Sequence, residues 1–201
     1  MKMADNKTFN TRNLVLLAIL TAIVVILQLL GTFIRFGQFS ISLVLMPIAI
    51  GAALLGIIAG AWLGLVFGLV VLISGDANVF LALNPAATVF VVLLKGILAG
   101  LAAGAVYILL ETRSKTIAAV SAAIACPLVN TGVFIIGCYA FFLPALTEWG
   151  IAGGAVSVTA FIFLVLVSAN FLFELGVNLV LSPTIVRLIQ YRHNSVSFPE
   201  K

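Results

Sequence analysis

Lys95, Glu174, Asn130 and Asn170 are the side chains with chemistry to offer inside the long apolar stretches of this sequence. A charged group near the centre of a bilayer costs about 2.5–3.5 kcal/mol on insertion scales, so such groups face a protein interior or a cavity. Lys95 is expected roughly 15 Å below the outer end of its helix, too deep for easy snorkelling. Asn170 and Glu174 stand one helical turn apart on one face, which Asn178 continues. Asn130, beside Thr131, falls at the middle of its own helix. Lys95, Asn130 and Asn170 thus reach nearly one depth on three successive helices. Donors converging at one depth suit the binding of a polar molecule; the competing reading is hydrogen bonding across helices that fastens the bundle. A Lys95–Glu174 ion pair would have to close a depth difference of roughly 12 Å by tilt and side-chain reach. The sole histidine, His193, lies in the polar C-terminal tail, and no His/Cys/Asp/Glu cluster has metal-ligand spacing. No metal and no cofactor are expected. Cys126 and Cys138 would lie roughly 18 Å apart along a helix, beyond disulfide reach, and read as small buried apolar residues.

The elements that must position these residues follow from composition. Of 201 residues, 64% are hydrophobic and 8% charged, with mean hydropathy +1.33. Soluble domains carry about 25% charged residues, so a soluble enzyme, a disordered chain and a disulfide scaffold are excluded. The net charge of +4 is spread too thinly for nucleic acid and serves instead to orient the chain in a membrane. Apolar stretches cover 14–34, 85–110, 117–143 and 156–181, with loops expected at 74–84, 111–116 and 144–155. The first stretch is too long for a removable signal peptide and lacks a clear cleavage site. Residues 41–73 carry no charge and would measure roughly 50 Å as one helix. Two short helices turning near Gly56 to Gly60 put Lys2, Lys7, Arg12, Arg113, Lys115, Arg187, Arg192 and Lys201 on one side, leaving Arg35 alone outside. A single span would scatter them across both sides, against the positive-inside rule. The expectation is an all-α integral membrane protein of six transmembrane helices with both termini cytoplasmic. Residues 1–13 form the N-terminal segment, 14–182 the membrane domain and 183–201 the tail, with no room for a soluble domain. Gly51, Gly56, Gly60, Gly64 and Gly68, then Gly96, Gly100 and Gly104, mark faces of close helix packing. Arg35 and Gln38 fall in the first outer loop, where Gln38 and the aromatics suit capping a ligand. Asp76, Asn78 and Asn84 fall in the next, and Glu148 with Trp149 in the last. Taken singly, the residues of these last two loops read as solvated or interfacial.

The order of these features resembles the substrate-binding S component of energy-coupling-factor (ECF) vitamin transporters, over residues 12–190. Three segments carry the resemblance. Ala18-Ile19-Leu20-Thr21-Ala22 matches that family's Ala-x-x-x-Ala pattern early in the first helix. Leu55-Gly56-Ile57-Ile58-Ala59-Gly60-Ala61-Trp62-Leu63-Gly64 is similar to its glycine-spaced turn between the second and third helices. Leu94-Lys95-Gly96-Ile97-Leu98-Ala99-Gly100-Leu101 lies in the fourth. The resemblance implies a tightly bound vitamin or precursor, held in the outward half between the loop after the first helix and the last three helices. Arg35, Gln38, Asn84, Lys95, Asn130, Asn170 and Glu174 are the candidate contacts. It also implies docking through Ala18 and Ala22 to a transmembrane coupling subunit, toppling in the membrane, release driven by two cytoplasmic ATPases, and a bacterial or archaeal plasma membrane. The chain has no G-x-x-x-x-G-K-[ST] loop of its own.

Other classes fit less well. Asn84-Pro85-Ala86 is the tripeptide of aquaporin-type channels, but that fold needs two, and an Asn cap with Pro in the first helical turn explains it more simply. No G-x-S-x-G occurs and no carboxylate pair shares a span, so the chain does not read as an enzyme. A non-transporting membrane scaffold of the same fold is the stronger rival, separated by ligand retention through purification. Lys95 and Arg35 suit a carboxylate or phosphate and the Phe-rich walls suit a ring, which leaves the particular vitamin open.

Overall fold

The chain folds as a bundle of apolar helices in the computed structural model, which describes residues 11–32, 35–36, 39–40, 43–167 and 171–181. Of the expected site residues, Gln38 and Asn170 lie outside the described residues, as does the side chain of Arg35. The elements in order are α1 (Thr11–Gly31), β1 (Arg35–Phe36), β2 (Phe39–Ser40), α2 (Leu45–Leu55), α3 (Ile57–Ser74), α4 (Asn78–Leu83), α5 (Pro85–Glu111) and α6 (Lys115–Gly137). A π-helical segment, Cys138–Phe142, leads from α6 into α7 (Leu143–Ala152). The last helix, α8, runs over Val158–Leu181 and is π-helical across Phe161–Val167.

The charge-free stretch 41–73 is broken at Gly56, whose φ of 99° and ψ of 177° only glycine adopts without strain. Its two halves differ in length. Among the described residues, five helices are long and apolar enough to cross a membrane: α1, α3, α5, the stretch Lys115–Ala152 and α8. The eleven-residue α2 falls short of that length, and none of its residues is exposed.

Two expected loops contain helix. Residues 144–155 are not all loop, because helix continues to Ala152; Pro144 sits at the start of α7, where a missing N–H costs nothing. The stretch 74–84 contains the short helix α4 rather than loop alone. The fold is otherwise helical, as expected: β1 and β2 are two residues each, and their antiparallel register pairs Arg35 with Ser40 and Phe36 with Phe39.

The packing core is set by glycine. A Cβ on Gly60 would lie 2.6 Å from the Gly100 carbonyl oxygen and one on Gly64 would collide with that of Gly96. One on Gly104 would lie 2.7 Å from the Cα of Ile57. α3 and α5 therefore touch backbone to backbone, the small-residue contact that replaces the hydrophobic drive missing between helices in lipid. The other side of α5 packs on α6, whose Ala118, Ala119, Ala122 and Ala123 are buried. α1 turns much of its surface outward, with Ile19, Ile23 and Ile26 exposed for lipid.

Candidate functional site

Beside this seam lies a cavity of about 90 Å³ lined by residues of α1, α3, α4, α5, α6 and α8. Lys95 of α5, Asn130 of α6 and Glu174 of α8 line it together. Upright-helix arithmetic had set Glu174 apart from Lys95 in depth; the structure puts both on one wall, with the π-helical turns of Phe161–Val167 departing from the straight-helix ruler.

Lys95 is half-buried. Its ammonium lies over two aromatic faces, 5.7 Å from the Phe67 ring centroid and 5.4 Å from that of Phe134. A desolvated cation–π contact contributes about 2 kcal/mol, comparable with the cost of placing the charge at this depth. Phe134 is held in turn by Phe80, edge to face at 5.6 Å. Phe80 also packs on Phe142 at 4.9 Å and Trp149 at 6.1 Å. Trp149 thus belongs to this aromatic cluster and is half-buried rather than simply interfacial. Asn130 is 5% exposed, and its Oδ1 has no hydrogen-bond partner among the described residues. Glu174 is 3% exposed and Asn178, one turn on, is 1% exposed.

Sequence reasoning missed a second polar pair. Gln28, 1% exposed within α1, donates from Nε2 to Asp76 Oδ2 at 2.7 Å. The Ser74 hydroxyl donates to the same oxygen at 3.4 Å. Both Gln28 and Asp76 line the cavity, so Asp76 is a wall residue and not a solvated loop carboxylate. The signal available was Gln28 itself, an amide within an apolar span, to which the same burial argument applies as to Lys95.

Asn84 is exposed and its Oδ1 accepts from the Ala87 N–H at 3.1 Å, capping α5 ahead of Pro85. It is not among the residues lining the cavity. Ala18 and Ala22 are both exposed on the outer side of α1. Near them the Trp62 indole N–H donates to the Thr21 hydroxyl at 3.3 Å, and that hydroxyl donates to the Leu17 carbonyl at 2.8 Å. Cys126 and Cys138 are free thiols, both buried.

Among the described residues lining the cavity, no nucleophile is set against a general base. Its described residues offer one ammonium, two carboxylates, amides and phenyl faces around one cavity, which is equipment for holding a small polar molecule with a ring or other apolar body. A family model described as the substrate-specific component of ECF transporters matches residues 12–186. No curated protein and no solved structure matches the chain.

Proposed function

The chain belongs to the family of substrate-specific components of ECF transporters, and from that premise we propose that it binds a water-soluble vitamin or precursor with high affinity for import. The observation that carries the reading is the gathering of Lys95, Asn130, Glu174 and the Gln28–Asp76 pair around one cavity in a chain with only 8% charged residues. Arg35, Gln38 and Asn170 are proposed as further contacts. Arg35 and Gln38 follow α1 closely in sequence, and Asn170 immediately precedes the cavity-lining Phe171.

Import needs partners. The proposed partners are a transmembrane coupling subunit, received on the Ala18–Ala22 face of α1, and two cytoplasmic ATPases, in a bacterial or archaeal plasma membrane. Small side chains one turn apart let a second helix approach closely, and both alanines are exposed.

Mass spectrometry of small molecules that copurify with the detergent-solubilised chain tests the binding half of the proposal. A vitamin-sized compound released on denaturation is the expected result; its absence after purification from vitamin-replete cells removes the reading. Ala18→Trp with Ala22→Trp tests the docking half. Uptake by the assembled transporter is expected to be abolished with retention of the copurified compound unchanged. Loss of the compound instead would mean that this face supports the bundle.

A further inference from the structure

Asn130 carries a buried amide oxygen, Oδ1, that has no hydrogen-bond partner among the described residues. The residue is 5% exposed and lines the cavity. Gln28, Asp76 and Glu174 on the same lining are engaged: Gln28 donates to Asp76 at 2.7 Å, and Glu174 has interactions of its own. An unsatisfied acceptor in a low-dielectric interior is costly, so a native protein rarely keeps one without a use. A bond that fastens the bundle would need a donor on a neighbouring helix, and Oδ1 meets none among the described residues. Asn178 Oδ1 is also without a partner but does not line the cavity, so of the two a guest reaches Asn130.

The Asn130 amide turns easily about χ2, an sp³–sp² torsion with a broad minimum, so a donor on the guest can draw the oxygen into a bond. Phe134 lies four residues on along α6 and lines the same cavity, roughly 6 Å farther along the helix. Its ring can carry an apolar part of the same guest. Because the amide is neutral, its demand for a donor holds whatever the balance of charge among Asp76, Glu174, Lys95 and Arg35. Resting on the reading of this cavity as the substrate site, we infer that the substrate bears a hydrogen-bond donor, a hydroxyl or N–H, that Asn130 Oδ1 accepts while a ring or other apolar part lies beside Phe134. Asn130 then sets specificity: a guest lacking the donor leaves the oxygen unsatisfied and is rejected.

Phenol, aniline and fluorobenzene test this, as rings of nearly one size, all uncharged near neutral pH, of which fluorobenzene lacks a donor. Equilibrium dialysis measures their binding to the full chain in detergent after removal of bound small molecules, with partition into protein-free micelles subtracted. Phenol and aniline are expected to bind at least tenfold more tightly than fluorobenzene. Asn130→Leu, which nearly keeps the volume, and Asn130→Ala are each expected to bring those ratios close to one. The unfolding midpoint of emptied Asn130→Leu is expected to match or exceed that of the native chain, because a partnerless acceptor is gone. Fluorobenzene binding as tightly as phenol and aniline, or a donor preference that survives both substitutions, overturns the inference while leaving the cavity as a substrate site. A lowered midpoint in both variants overturns it as well, by showing that the amide fastens the bundle. Failure of all three probes to bind overturns the substrate reading of the cavity, and the inference with it.

Discussion

Lys95 and Gly96 are neighbours in sequence, yet they belong to two regions of the molecule built on opposite principles. Gly96 faces α3, where its carbonyl lies so close to Gly64 that a methyl group on either residue would collide with the other's backbone. Nothing polar is needed there beyond the helices' own hydrogen bonds, and close dispersion contact holds the pair. Lys95 faces the cavity, where its ammonium rests on two rings beside acids and amides drawn from four other segments of the bundle. The seam gains by excluding side chains and the cavity by collecting them. α5 thus acts as a ruler: its glycine face is fixed by contact with α3, and that fixes the height at which Lys95 enters the cavity.

The contrast is broken most severely from the seam. Gly64→Leu is expected to cost about 3 kcal/mol or more, since overpacking against backbone has no side chain to yield. The readout is loss of the monodisperse peak in detergent or a sharply lowered unfolding midpoint. An unchanged midpoint would show that α3 and α5 can separate freely. Next come Lys95→Ala and Asn130→Ala, each expected to weaken binding of the copurifying compound at least tenfold, or about 1.4 kcal/mol, with the unfolding midpoint of the emptied protein nearly unmoved. Unchanged affinity in both would remove the cavity as the substrate site. Asn84→Ala should give the smallest effect, about 1 kcal/mol of stability through loss of the α5 cap, seen as a modest fall in the midpoint. Loss of affinity at constant midpoint would place Asn84 at the substrate instead.

Much of the seam was legible in the sequence, because four-residue glycine spacing along α3 and α5 is a local pattern with one physical use. A break in the charge-free stretch 41–73 was legible through length, because one helix of roughly 50 Å is too long for one upright span. The cavity was legible in part. A lysine and an asparagine deep in apolar helices announce an interior, but not which other groups share it. Gln28 and Asp76 are 48 residues apart, so no spacing rule connects them. Asp76 reads as a loop acid until α1 is seen to pack beside the α3–α4 turn. The π-helical segments Cys138–Phe142 and Phe161–Val167 leave no mark in hydrophobic periodicity, and they spoil any depth scale built on straight helices. Helix through 144–152 was hidden by Pro144, which reads as a breaker unless its place in a first turn is known.

α2, eleven residues long, is apolar throughout and has no exposed residue. At roughly 16 Å it would be badly mismatched to a hydrocarbon core of about 30 Å if lipid reached it. Wrapped by α1, α3, α5 and α6, it never meets that demand. Bilayer thickness therefore acts on its neighbours alone. A thicker or thinner membrane would tilt the outer helices around α2, which they carry as an insulated strut.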